Sequence, residues 1–73
     1  MVFALHKVRR PINQEASMKT VMVIEDQEDM QALYKILIRR IKGAELVAQI
    51  MDAEDALPAL QKIHPDLSII DIT

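Results

Sequence analysis

The sequence contains no cysteine, no tryptophan, a single glycine and no long apolar run. Without cysteine, neither disulfide bonds nor thiolate-bound zinc can stabilise this chain of 73 residues. One glycine cannot build a glycine-rich phosphate loop, and no segment approaches the roughly 20 apolar residues of a transmembrane helix. These absences favour a cytoplasmic chain that has no membrane span and no P-loop nucleotide site.

The composition is that of a small globular domain. Apolar residues make up 51% of the chain and charged residues 27%, a balance that is typical of folded proteins. The net charge of −2 is too small to indicate binding to a polyanion, so we expect no direct contact with nucleic acid. The length leaves room for one domain at most.

Residues 1–17 show no sustained hydrophobic period and contain the loop-forming residues Pro11, Asn13 and Ser17. Met18 then begins Met-Lys-Thr-Val, directly ahead of the first strong strand signal. We therefore interpret residues 1–17 as a flexible leader or an upstream extension of the reading frame. Residues 18–73 form the predicted domain.

Strand and helix patterns alternate from residue 21 onward. The apolar run 21–24 predicts a strand buried on both faces, and residues 27–42 predict a helix ended by Gly43. Its apolar stripe consists of Met30, Leu33, Tyr34, Leu37 and Ile41.

The alternation of strand and helix patterns continues after Gly43. A second strand is predicted at 46–51. A second helix is predicted at 53–63 with Asp52 as its cap, and this helix is expected to start late or to kink at Pro58. A third strand, 67–70, is closed by Asp71. Strands alternating with helices predict an α/β fold with a parallel sheet flanked by two helices. If its three strands have the order second, first, third, the chain turns in opposite directions from the first strand.

Acidic residues end the first and third strands, namely Glu25, Asp26 and Asp71. In a sheet of this order, ligands bind beyond the carboxyl ends of the strands at the point where the order reverses. Three converging carboxylates repel one another unless a cation compensates, and hard oxygen ligands suit Mg²⁺. Asp71 could then act as a nucleophile towards phosphorus. The alternative is that these acids only cap helices or occupy loops.

Two other polar side chains have simpler interpretations. His64 precedes a proline after the second helix, so we interpret it as an exposed helix terminator. Tyr34 lies on the apolar stripe and is interpreted as core packing.

Residues 19–73 resemble the receiver domains of two-component response regulators. The segments that carry the resemblance are Val-Met-Val-Ile-Glu-Asp at 21–26, Asp-Ala-Glu-Asp-Ala-Leu at 52–57 and Pro-Asp-Leu-Ser-Ile-Ile-Asp-Ile at 65–72. The resemblance implies the N-terminal half of a truncated, flavodoxin-like receiver fold. It also implies a phosphorelay role in which Asp71 becomes a 4-aspartylphosphate. The metal ligands for Mg²⁺ would be Glu25, Asp26, Asp71 and the main-chain carbonyl of Thr73.

By the same resemblance, the chain is not an enzyme but the acceptor for a histidine kinase or a histidine phosphotransfer protein. The family's later strands, with their hydroxyl and lysine groups that bind the phosphoryl oxygens, have no counterpart in these residues. We therefore expect impaired phosphotransfer, and self-association through the exposed outer edge of the third strand.

Two other functions remain open. The half-domain could act only through protein–protein association, without phosphoryl transfer. Alternatively, Asp71-Ile72-Thr73 could begin a haloacid-dehalogenase-type phosphohydrolase, although that family has a second aspartate where this chain has Thr73.

Overall fold

The computed structural model describes residues 2–7 and 18–72. The elements in this part of the chain are β1 (Val2–Lys7), β2 (Lys19–Glu25), α1 (Glu28–Arg39), β3 (Ala44–Ile50), α2 (Ala56–Ile63) and β4 (Leu67–Ile72). A single 3-10 turn, Ala53–Asp55, precedes α2. None of the helices in these ranges is long and apolar enough to cross a membrane. The predicted alternation of strands and helices from residue 18 onward is confirmed.

The sheet has the strand order β1-β4-β2-β3. The strand β2 pairs in parallel with both β3 and β4, so the three strands predicted from the sequence have the predicted order. With α1 and α2 as the connections, this is an α/β arrangement consistent with a truncated flavodoxin-like fold. The register aligns Val21 with Leu67 and Glu25 with Asp71, so β2 and β4 end at the same level.

The strand β1 was not predicted. It pairs antiparallel with β4 along all six of its residues, from Val2 opposite Ile72 to Lys7 opposite Leu67. The outer edge of β4 is therefore covered, and the prediction that the chain self-associates through an exposed edge of this strand is wrong. An edge strand is held by main-chain hydrogen bonds, which any non-proline sequence can supply, so its side-chain pattern gives little signal. The remainder of the predicted leader, residues 1 and 8–17, lies outside the described residues.

The core is centred on β2 and one face of α1. Val21 and Val23 are buried against Ile38 of the helix, and partly buried side chains surround them: Tyr34, Ala44, Leu46, Leu67 and Ile69. The pleat of β2 directs Met22 and Ile24 to the opposite face, where they are also fully buried.

The predicted apolar stripe of α1 is only partly correct. Tyr34 packs against the core, but Leu33, Leu37 and Ile41 are 44%, 47% and 57% exposed. The residues of α1 that are fully buried are Gln31 and Ile38. The helix is thus rotated so that a polar residue faces the sheet, and much of its apolar surface lies outward.

The helix boundaries follow from backbone geometry. The first helix ends at Arg39, three residues earlier than predicted, and Gly43 in the following turn has a φ of 86°. Pro58 is the third residue of α2, where no hydrogen bond within the helix is lost. His64 is exposed and ends α2 in the left-handed conformation (φ 53°), as its interpretation as a terminator requires. Asp52 makes no side-chain capping bond.

The starts of β2 and β4 are joined by a pair of side chains. Oδ2 of Asp66 accepts hydrogen bonds from the main-chain N–H of Thr20 at 2.7 Å and from its hydroxyl at 3.1 Å. The main-chain N–H of Asp66 donates in return to Oγ1 of Thr20 at 3.0 Å. Because Asp66 is buried, these bonds are partly shielded from water, and they help to hold the two strands in register.

Candidate functional site

The site is built where β2 and β4 end side by side. Glu25 is the last residue of β2 and lies opposite Asp71 of β4, so the parallel register places the two acids next to each other. Both are buried, with Glu25 1% exposed and Asp71 4% exposed. Buried carboxyl groups are rare in a protein core, and two that lie side by side are therefore a notable feature of this sheet.

The environment of Glu25 raises the pKa of its carboxyl group. Burial raises the pKa of Glu25 above its ordinary value of 4.5, and the neighbouring carboxyl groups of Asp26 and Asp71 raise it further. A hydrogen bond from the main-chain N–H of Gln27 to Oε1, at 2.9 Å, opposes this rise. Glu25 therefore retains its proton to a higher pH than a carboxyl group in water would.

The two oxygens of Asp71 differ in their surroundings. Oδ2 accepts a hydrogen bond from the hydroxyl of Tyr34 at 3.0 Å. Oδ1 is buried and has no hydrogen-bond partner within the described ranges 2–7 and 18–72. Burial, followed by the proximity of Asp71, raises the pKa of Tyr34, so the phenol stays protonated and acts as a donor. The interpretation of Tyr34 as core packing was incomplete, because its hydroxyl contacts the site.

A glutamine that sequence reasoning missed supports the ends of the strands. Nε2 of Gln31 lies 2.9 Å from the carbonyl oxygen of Ile50, 3.2 Å from that of Glu25 and 3.4 Å from that of Val23. Gln49 of β3 donates to both the main-chain and the side-chain oxygen of Gln31, each at 2.8 Å. These bonds connect α1, β2 and β3 and hold the main chain at Glu25. The only signal in the sequence is that Gln49 interrupts a strand pattern.

The structure brings some of the predicted site residues close to one another. Glu25 and Asp71 are neighbours, and the carboxyl group of Asp26 lies near enough to raise the pKa of Glu25, although Asp26 itself is exposed. Among the residues that the structure describes, no group of three or more acidic, histidine or cysteine side chains is arranged so that it could hold a metal ion. Thr73 lies outside those residues. The role of these groups as Mg²⁺ ligands remains a prediction.

The raised pKa of Glu25 predicts how stability depends on pH. Below about pH 4.5, Glu25 is protonated in both the folded and the unfolded chain, and the advantage of burying the neutral form is fully present. As the pH rises from there through the folded-state pKa, the folded chain holds more protons than the unfolded chain, so the free energy of unfolding falls.

We therefore expect the free energy of unfolding to fall less with rising pH in Glu25→Gln, because glutamine is neutral at every pH. The free energy of unfolding in urea, measured between pH 4 and pH 8, should converge for wild type and variant at the acidic end and diverge at higher pH, with the variant the more stable. The exposed neighbour Glu28 provides the control, because Glu28→Gln should follow the wild-type curve. Parallel curves for wild type and Glu25→Gln would contradict the assignment.

Comparison with known proteins gives one relevant similarity. The chain is 29% identical over 55 residues to an uncharacterized response regulatory protein of Yersinia pestis. This chain is similar to a response regulator. The matched region covers 75% of the chain but only 23% of that protein, so the chain spans about a quarter of its relative's length. No family model matches the chain, and no solved structure matches it. The similarity and the small parallel α/β fold both support a receiver-like role.

Proposed function

We propose that this chain is a receiver-type phosphoacceptor module of a two-component phosphorelay, in which Asp71 accepts a phosphoryl group from a phosphohistidine. The observation that carries the proposal is the position and environment of Asp71. It lies at the carboxyl end of β4 beside Glu25, and its Oδ1 is buried without a hydrogen-bond partner in the described part of the chain. A buried polar atom without a partner is costly unless a bound group satisfies it.

The transfer exchanges one bond to phosphorus for another. Oδ1 of Asp71 forms the new bond to phosphorus, and the bond from phosphorus to the imidazole nitrogen of the donor breaks, with its electron pair going to that nitrogen. The partner that presents this phosphohistidine would be a histidine kinase or a histidine phosphotransfer protein. The chain would be the acceptor in this reaction and not an enzyme that turns over.

The acids of the site have the chemistry that Mg²⁺ prefers. Mg²⁺ retains several waters and is commonly held by only one or two carboxylates together with phosphate oxygens. Asp71, Asp26 and Glu25 would be its ligands, and Glu25 lies beside Asp71 where β2 and β4 end. The bound ion would neutralise charge on the phosphoryl group during transfer.

The test is labelling with acetyl phosphate, a small donor that bypasses the unidentified kinase. With Mg²⁺, we expect the chain to gain one phosphoryl group that hydroxylamine removes, since hydroxylamine cleaves acyl phosphates. The reaction should be slow, because Asp71 is only 4% exposed. Chelation of Mg²⁺ should prevent labelling, and Asp71→Asn should abolish it completely.

The control is Asp52→Asn, which changes an exposed acid in the turn before α2. This variant should be labelled like the wild type. Labelling that persists in Asp71→Asn would show that another residue is the acceptor, and a wild-type chain that is never labelled would overturn the proposed function.

The second candidate function is association without phosphoryl transfer. The observation that favours it is the exposed apolar surface formed by Leu33 and Leu37 on α1 and by Ile41 in the turn that follows. The two candidates give opposite results in the labelling experiment, because a module that acts only by association is never phosphorylated.

A further inference from the structure

The hydroxyl of Tyr34 makes the two oxygens of Asp71 chemically different. Tyr34 extends from the buried face of α1, which also carries Gln31 and Ile38, and its hydroxyl reaches Oδ2 of a residue 37 positions away in the chain. Oδ1, in contrast, has no hydrogen-bond partner in residues 2–7 and 18–72. An incoming phosphorus therefore meets one oxygen that is already engaged and one that is not.

We propose that Tyr34 is a positioning residue that shortens the lifetime of the aspartyl phosphate formed on Asp71. The proposal rests on the phosphoacceptor function proposed above. It adds a role for a side chain on α1 that belongs neither to the acidic cluster nor to the three segments that carry the resemblance, 21–26, 52–57 and 65–72.

The hydrogen bond persists after phosphorylation but changes in strength. When Oδ1 carries the phosphoryl group, Oδ2 becomes the carbonyl oxygen of an acyl phosphate and still accepts from the hydroxyl of Tyr34. A hydrogen bond to an ionised acceptor is about twice as strong as one to a neutral acceptor. Tyr34 therefore stabilises the free carboxylate more than it stabilises the acyl phosphate.

This difference acts on the hydrolysis step. A water oxygen bonds to phosphorus, the bond between phosphorus and Oδ1 breaks, and its electron pair returns to the carboxylate of Asp71. The protons of the water leave with inorganic phosphate or pass to solvent. Negative charge grows on the carboxylate as the bond breaks, because the transition state of phosphoryl transfer is loose. The bond from Tyr34 strengthens along the same path and lowers the barrier.

The variant that isolates the hydroxyl is Tyr34→Phe, which keeps the ring packed against the core cluster. Chains labelled with acetyl phosphate are separated from the donor, and the loss of the hydroxylamine-sensitive phosphoryl group is followed over time. We expect the lifetime to be about fivefold longer in Tyr34→Phe, which corresponds to about 1 kcal/mol, the difference between a charged and a neutral acceptor. Leu33→Ala, at a 44% exposed position one residue away, should keep the wild-type lifetime.

A second measurement tests the contact without any phosphoryl group. Tyr34 is the only tyrosine, and the chain has no tryptophan, so ultraviolet-excited emission reports on Tyr34 alone. A carboxylate that accepts the phenol hydrogen bond also accepts its proton in the excited state and quenches the emission. Asp71→Asn should therefore brighten the tyrosine emission, whereas Asp52→Asn should leave it unchanged.

The outcomes separate the two proposals. A wild-type chain that cannot be labelled overturns the phosphoacceptor function and, with it, the role of Tyr34. Labelled chains with equal lifetimes in wild type and Tyr34→Phe overturn the role of Tyr34 alone. Emission that is identical in wild type and Asp71→Asn shows that the hydrogen bond does not form, and this also overturns the proposal. A purely structural role would lower the melting temperature of Tyr34→Phe without lengthening the lifetime.

Discussion

A chain that begins at Met18 should self-associate, and the protection of the β4 amides that face β1 should change. In the full chain, β1 covers all six residues of β4 through antiparallel pairing. Its removal exposes a row of unpaired main-chain groups on the strand that carries Asp71, and such an edge readily pairs with another chain. Each main-chain hydrogen bond contributes about 1 kcal/mol net, against a total free energy of unfolding on the order of 4–11 kcal/mol for a chain of this size. The loss is therefore a large fraction of the stability.

The experiment compares the full chain with the shortened one by sedimentation and amide exchange at micromolar concentration. We expect the full chain to protect the amides of β4 and the shortened chain to form oligomers in which this protection is altered. A peptide of residues 1–9 added in trans should restore the pattern of the full chain. The same peptide with Ala4→Pro and Leu5→Pro is the matched control. Neighbouring residues of a strand direct their N–H groups to opposite sides, so one of the two prolines removes a donor to β4.

Two results would contradict the role assigned to β1. One is a shortened chain that remains monomeric with slowly exchanging amides throughout β4. The other is rescue by the proline-containing peptide that equals rescue by the natural one. Either result would mean that the edge of β4 does not depend on β1.

Asp66→Ala should destabilise the fold by about 3 kcal/mol or more. The substitution removes the acceptor for both the main-chain N–H and the hydroxyl of Thr20. A hydrogen bond to a charged group contributes about 1.5–3 kcal/mol, and a buried donor left without an acceptor costs about 1–3 kcal/mol. Because β2 and β4 carry the two acids of the site, the same change should disturb the alignment of Glu25 with Asp71.

The measurement is the free energy of unfolding in urea, with Thr20→Val as the companion variant. Thr20→Val keeps the main-chain N–H bond to Asp66 but removes both contacts of the hydroxyl, so we expect a smaller loss of about 1–2 kcal/mol. The double variant should lose less than the sum of the two, since the residues contact each other. Asp52→Ala, at an exposed acid with no side-chain capping bond, should change stability by less than about 0.5 kcal/mol. A similar small effect for Asp66→Ala would contradict this account.

The parallel part of the fold could be predicted from the sequence because its signals are local. The continuous apolar run at 21–24 needs two covered faces, and the change from that run to a helical period at residue 27 marks a crossover connection. These features were sufficient for the element types and for the parallel direction of the strands. The strand order, which places Glu25 beside Asp71, was expected from the resemblance to receiver domains. The predicted ends of helices and strands were less accurate. The helix α1, for example, ends at Arg39 and not at residue 42.

The face that α1 turns towards the sheet could not be predicted, because hydrophobic periodicity assigns the most apolar face of a helix to the core. Gln31 is buried because carbonyl oxygens at the ends of β2 and β3 need a donor, and the amide group supplies it. Its burial turns Leu33 and Leu37 outward, against the preference of their own side chains. Only the assembled strands create the acceptors that decide this orientation.

The sequence by itself determined that β2 and β4 are parallel and that they end in acids, because strand and helix patterns alternate along the chain and each acid directly follows an apolar run. The tertiary structure decided that β1 covers the edge of β4 and that the hydroxyl of Tyr34 engages one oxygen of Asp71. Both depend on groups far apart in the chain. Main-chain hydrogen bonding carries no side-chain signature, and a tyrosine on an apolar stripe does not indicate where its hydroxyl will lie. Local preference therefore accounts for the scaffold, and long-range hydrogen bonding accounts for the chemistry of its site.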